Sequence, residues 1–100
     1  MAVTVGLLVT LEAKPGKEDR VAEFLNAGRG LVEQEPGTVT WYAFRQSQTT
    51  FGIFDTFGND DGRQAHLSGE VAKALGQVAD DLLAAAPDIR PIDILASKGA

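Results

Sequence analysis

His66 is the only histidine in this chain and, with a reference pKa of ~6.5, the only side chain poised to exchange a proton near neutral pH. Asp55 lies in an aromatic run, Phe51-Gly52-Ile53-Phe54-Asp55-Thr56-Phe57. A carboxylate beside a histidine orients the ring and stabilises its imidazolium. The bland alternative for Asp55 is a charge on a wet rim, or a partner for Arg45 or Arg63. The residue types exclude much else. There is no cysteine, so disulfides, thiolate metal sites and a thiolate nucleophile are absent. One histidine does not fill a typical zinc site, and no spacing gathers three ligands, so no metal is expected.

Those two residues sit in a chain of 100 residues, enough for one domain spanning 1–100 with a single two-layer core. Hydrophobic residues make up 44% and charged residues 23%, the composition of a folded globular chain and not of a disordered one. No apolar run reaches the ~18–20 residues that span a bilayer, so no membrane partner is expected. Met1 to Leu11 alternates and lacks a basic start, which argues against a signal peptide. With the missing cysteines, this points to the cytoplasm. The net charge of −5 and the scattered Lys and Arg residues would repel a phosphate backbone, so nucleic acid is not expected as a partner.

Val3 to Ala13 alternates apolar and polar residues and is read as a strand, stopped by Lys14-Pro15-Gly16. Lys17 to Glu35 carries Val21, Phe24, Leu25, Gly28, Leu31 and Val32 at helical spacing, and Pro36-Gly37 ends it. Gly28 falls on the apolar stripe, which suggests close packing. Thr38 to Arg45 and Thr50 to Phe57 form an antiparallel hairpin across a short polar link. Asn59 and its neighbours supply a helix start. A short helix runs through His66, and Ser68 is expected to cap a second helical segment carrying Val71, Leu75, Val78 and Leu82. Asp88 to Ala96 is the last strand, and Pro91 confines it to an edge. The order β-α-β-β-α-β gives an α+β, ferredoxin-like fold: an antiparallel sheet with its helices on one face.

Apolar residues nevertheless occupy both faces of the hairpin. If Phe44 pairs with Phe51, Tyr42 with Ile53 and Thr40 with Asp55, one face carries Thr40, Tyr42, Phe44, Ile53, Asp55 and Phe57. The other carries Val39, Trp41, Ala43 and Phe54. The mixed set suits a pocket, the wholly apolar set suits the helices. Helices on one side leave an aromatic patch bare on the other, which predicts a homodimer packed face to face around a shared cavity. This assignment depends on the register, since a slip of one residue exchanges the faces.

The ordered set of Ala13-Lys14-Pro15-Gly16-Lys17-Glu18, Glu35-Pro36-Gly37, Arg45, the Phe51–Phe57 strand and Ala65-His66-Leu67-Ser68 resembles the antibiotic biosynthesis monooxygenase family over nearly the whole chain. That resemblance implies dimeric α/β-barrel proteins that oxygenate phenols and hydroquinones without flavin, haem or metal. It departs from the family pattern in three positions: Asp55 stands for Glu, Phe57 for Trp, and Trp41 for Tyr. Haem-degrading members use an Asn, a Trp and a His, of which only His66 is found here. No cofactor is therefore expected. On this reading His66 removes the phenolic proton, because a phenolate gives an electron to O₂ far more readily, and Asp55 orients it. Thr40 and Tyr42 would hydrogen-bond substrate oxygens, Phe44 and Phe57 would stack on its rings, and Ile53 would complete the wall. The residues by themselves favour a plainer reading, in which Tyr42, Phe44 and Phe57 pack at the dimer interface and His66 is a capping or surface histidine.

Two rival readings accompany it. An RNA-recognition domain shares the element order, but Thr49-Thr50 replaces its basic Lys/Arg-Gly opening and the chain is acidic. The stronger rival is a dimer that binds an aromatic metabolite without turning it over.

Overall fold

A computed structural model describes residues 2–99. The chain runs β1 (Val5–Glu12), α1 (Glu18–Val32), β2 (Thr38–Arg45), β3 (Thr50–Phe57), α2 (Asp60–Leu67), α3 (Glu70–Leu82) and β4 (Asp88–Asp93). The strands form one antiparallel sheet in the order β2-β3-β1-β4, so the expected ferredoxin-like α+β arrangement is the observed one. β3 inserts between β1 and β2, and β4 takes the outer edge beside β1. Pro91, opposite Leu7, therefore withholds no hydrogen bond from a further strand.

Alternation along β1 fixes which side is covered. Leu7, Val9 and Leu11 are buried, while Leu8, Thr10 and Glu12 are exposed. The buried set joins Phe51 and Ile53 of β3, Val21 and Leu25 of α1, and Leu82 at the end of α3 in one core. Each fully buried large side chain of this kind contributes roughly 1.5–3 kcal/mol. Gly28, expected to pack closely against the sheet, is tighter against α3: a Cβ there would lie 3.2 Å from Val71 Cγ2 and 3.6 Å from the Trp41 ring of β2. The other sheet face has no helix, and Leu8, Tyr42 and Phe44 stand exposed on it.

Three local expectations are corrected. Ser68 ends α2, and Gly69 begins α3 without any side-chain cap. The last strand stops at Asp93 and does not reach Ala96. The hairpin register is shifted by one residue: Trp41 pairs with Asp55, Tyr42 with Phe54, Phe44 with Gly52 and Arg45 with Phe51. The cause lies in the link, where the Gln46 N–H donates to the Thr50 carbonyl at 2.8 Å and the Ser47 hydroxyl accepts from Thr50 N at 3.1 Å. Pairing thus extends into the link and leaves a three-residue loop.

A shift of one residue splits the mixed set. Ile53, Asp55 and Phe57 face the helices together with Trp41, and not the open side expected of them. Thr40, Tyr42 and Phe44 face the open side with Phe54 and Thr56. There the Tyr42 and Phe54 rings stack with centroids 6.5 Å apart.

Candidate active site

Strand alternation puts Asp55 on the helix face at a point where the hydrophobic effect alone would demand an apolar residue. Its neighbour across β1 is Leu7, and it is wholly excluded from solvent. An ionisable group in such a position requires a partner. His66 supplies it from the last turn of α2, with Nε2 2.9 Å from Asp55 Oδ2. The other ring nitrogen, Nδ1, lies 2.5 Å from Glu35 Oε1. One nearly buried imidazole is thus held between two carboxylates.

The local folding that assembles the three can be traced. Glu35 stands in the turn that leaves α1, where its N–H donates to Val32 O and its carbonyl accepts from Thr38 N. The Thr38 hydroxyl donates to Glu35 Oε1 at 2.8 Å and fixes the carboxylate. Asn59 accepts from Gly62 N at 3.0 Å and starts α2, two turns before His66. Helix and turn approach closely because both lack side chains at the contact: a Cβ on Gly62 would lie 2.9 Å from Gly37 O. Likewise a Cβ on Gly69 would lie 2.8 Å from Glu35 Oε2. The Phe57 ring, tilted by 46° with its centroid 5.4 Å away, closes one side of the imidazole.

Electrostatically, the cluster favours the protonated ring. Burial by itself lowers the His66 pKa, but the contacts to Asp55 and Glu35 outweigh it, and the net displacement is upward from the ordinary value. The two contacts differ in quality. The approach to Glu35 has hydrogen-bond geometry, whereas the approach to Asp55 meets the distance but not the alignment. Both Asp55 carboxylate oxygens remain without a hydrogen-bond partner, as does Glu35 Oε2.

Asp55 and His66 border a small cavity of about 40 Å³, walled by Leu7, Val9, Ile53, Val71 and Leu75 and bounded at the sheet edge by Ile89. Ile89 is 45% exposed, so at this edge a single side chain separates the cavity from solvent-facing surface. The volume holds a water or two and is well below the roughly 150 Å³ that admits a benzene ring. An aromatic ring therefore enters only if the side chains near Ile89 give way. A larger hollow of about 400 Å³ lies beside β2. Its charged residues, Arg29 and Glu33, pair with each other at 3.0 Å, so it lacks an acid–base pair aimed at a ligand.

Of the residues singled out from the sequence, His66, Asp55 and Ile53 come together at this cavity, and Phe57 adjoins it from the core. Thr40, Tyr42 and Phe44 do not. They lie across the sheet, and the Thr40 hydroxyl is 2.6 Å from that of Thr56. Neither arginine pairs with Asp55: Arg63 binds Asp60 at 2.9 Å, and Arg45 covers the Phe51 ring at 4.9 Å. Glu35 was missed as a site residue. Its signal was its place before Pro36-Gly37, at the turn that this topology brings against the end of α2. Among the described residues no cluster of His, Asp and Glu is arranged to hold a metal ion, and no helix is long and apolar enough to cross a membrane.

No family model and no curated protein matches this chain. Solved structures do. A Nitrosomonas europaea protein of unknown function, NE2512, is 44% identical, with 96% of this chain and 93% of that one covered at a TM-score of 0.94. A "putative antibiotic biosynthesis monooxygenase" from Caulobacter crescentus CB15 is 21% identical, covering 94% and 92% at a TM-score of 0.80. A second protein so described, from Nitrosomonas europaea, is 15% identical, covering 92% and 99% at a TM-score of 0.82. The chain therefore belongs to one family with NE2512, and its fold is that of the antibiotic biosynthesis monooxygenases.

Proposed function

We propose that this protein is a cofactor-independent monooxygenase for small phenolic, hydroquinone or anthrone-type aromatics, working as a homodimer. The observation that carries the reading is the buried Asp55–His66 pair at the wall of an otherwise apolar cavity. Such a pair accepts a hydroxyl proton where water is excluded, and the phenolate left behind reduces O₂ more readily than the phenol. The stoichiometry balances without an added reductant. A hydroquinone and O₂ give a hydroxyquinone and water, one oxygen atom entering the product and the other leaving reduced.

The homodimer rests on the open sheet face. Tyr42 is 58% exposed, and Phe44 and Leu8 are 38% exposed each. A contiguous aromatic patch of this kind is normally covered, and a second copy covers both patches at once. Tyr42 and Phe44 are then interface residues and not substrate contacts, the plainer of the two roles weighed for them from the sequence.

Oxygen uptake with hydroquinone and anthrone panels tests the activity. The wild type should consume O₂, and His66→Ala should slow uptake by on the order of 10²-fold, the low end for breaking a proton-accepting pair. Unchanged turnover in that variant removes His66 from the mechanism. Binding of a quinone with no uptake across the panel would instead assign a non-catalytic binding role.

A further inference from the structure

We infer that Asp55, and not His66, is the side chain that meets the ligand, and that the site takes a neutral aromatic through a hydroxyl donated to the Asp55 carboxylate. This deepens the proposed function and rests on the same cavity. Three observations carry it. Both imidazole nitrogens of His66 already face carboxylates, Nδ1 at 2.5 Å and Nε2 at 2.9 Å, so neither lone pair nor N–H is free for a ligand. Asp55 is wholly buried, and while its Oδ2 is turned to the ring nitrogen, its Oδ1 has no hydrogen-bond partner at all. Native structures seldom leave such groups unmatched, and the deficit is one that an O–H donor in the cavity fills. The remaining wall is apolar, Phe24 among aliphatic side chains, with nothing else to receive that donor's proton.

His66 and Glu35 are then positioning residues. Glu35 fixes the ring by a well-formed contact, and the ring sets Asp55 through the second nitrogen. The arrangement also decides what is refused. Two carboxylates around one imidazole leave the cluster formally anionic even when the ring is protonated, and no other cation lines the cavity. An anionic ligand would be desolvated against like charge. A ligand stripped of its hydroxyl hydrogens would leave Asp55 unsatisfied, which costs more than a missing contact in water.

The test is equilibrium binding without oxygen, followed by nuclear magnetic resonance titration, of hydroquinone, 1,4-dimethoxybenzene and benzoate. The wild type should bind hydroquinone at least tenfold more tightly than the diether and should not bind benzoate measurably. Asp55→Asn should bring hydroquinone and diether within about twofold of each other. His66→Gln should keep the preference for hydroquinone while changing its pH profile. A wild type that binds the diether or benzoate as well as hydroquinone overturns the inference, and this arm needs no variant to fold. Loss of the preference in His66→Gln but not in Asp55→Asn also overturns it, by making His66 the contact. Because oxygen is excluded, a chain that shows the hydroquinone preference yet consumes no O₂ sustains this inference while removing the monooxygenase reading.

Discussion

The two faces of the sheet are built from the same strands, in the same alternation, yet they end in opposite conditions. On the helix side, Leu7, Phe51 and Phe57 are fully packed, and into that dry layer the chain inserts a carboxylate, an imidazole and a second carboxylate. On the open side, Tyr42, Phe44 and Leu8 stay exposed, the Thr40 and Thr56 hydroxyls satisfy each other, and the charged groups, Glu12 and the Asp88–Arg90 pair, are solvated. Buried charge lies on one side and exposed apolar surface on the other. The contrast suits the division of work proposed above, with chemistry on the covered face and assembly on the bare one.

The largest effect that sharpens this contrast is on stability. Phe57→Ala empties a site with no solvent exposure and should cost about 3–5 kcal/mol in denaturant melts. Phe44→Ala should cost much less at concentrations where the chain is monomeric. Equal costs would break the division. Next comes Tyr42→Lys, which puts a charge at the centre of the bare patch. It should weaken self-association by at least tenfold in sedimentation equilibrium, equivalent to about 1.4 kcal/mol, with the monomer's melt nearly unchanged. Persistence of a tight dimer would move the interface elsewhere.

A smaller effect concerns the approach of α3 to Glu35. Gly69→Ala forces a Cβ against Glu35 Oε2, so the carboxylate must shift away from His66. The expected result is a loss of about 1 kcal/mol or more and a fall in the His66 pKa, read by NMR titration. An unaltered titration would mean that Glu35 does not hold the ring. The smallest effect is in pH dependence. His66 has a folded-state pKa above its unfolded value, so its contribution is complete below the unfolded value of about 6.5. That contribution is lost as pH rises through the folded-state value. His66→Gln should therefore flatten the decline in stability as pH rises above about 6.5. A decline of the same slope in the variant would show that another group causes it.

Much of the fold could be read from the sequence because it depends on local signals. The hairpin strands Thr38–Arg45 and Thr50–Phe57, the edge position of the Pro91 strand and the helix start at Asn59 all follow from composition and spacing. The register did not, because it turns on hydrogen bonds of Gln46, Ser47 and Thr50 that no hydrophobic pattern encodes. That single step moved Ile53, Asp55 and Phe57 from the open face expected of them to the helix face, and left Thr40, Tyr42 and Phe44 alone on the open one. The site was half legible. His66 and Asp55 stood out by type and setting, whereas Glu35 lies far away in sequence and meets His66 only through tertiary packing at Gly37, Gly62 and Gly69. The order of roles was hidden too, since it depends on which atoms are already engaged.

The division of labour is tested most directly by oxygen uptake with hydroquinone in two variants of matched melting temperature, Asp55→Asn and Tyr42→Phe. A working site behind the helices predicts a loss on the order of 10²-fold for Asp55→Asn and turnover within about twofold of wild type for Tyr42→Phe. The reverse ranking would locate the chemistry on the bare face and contradict the account.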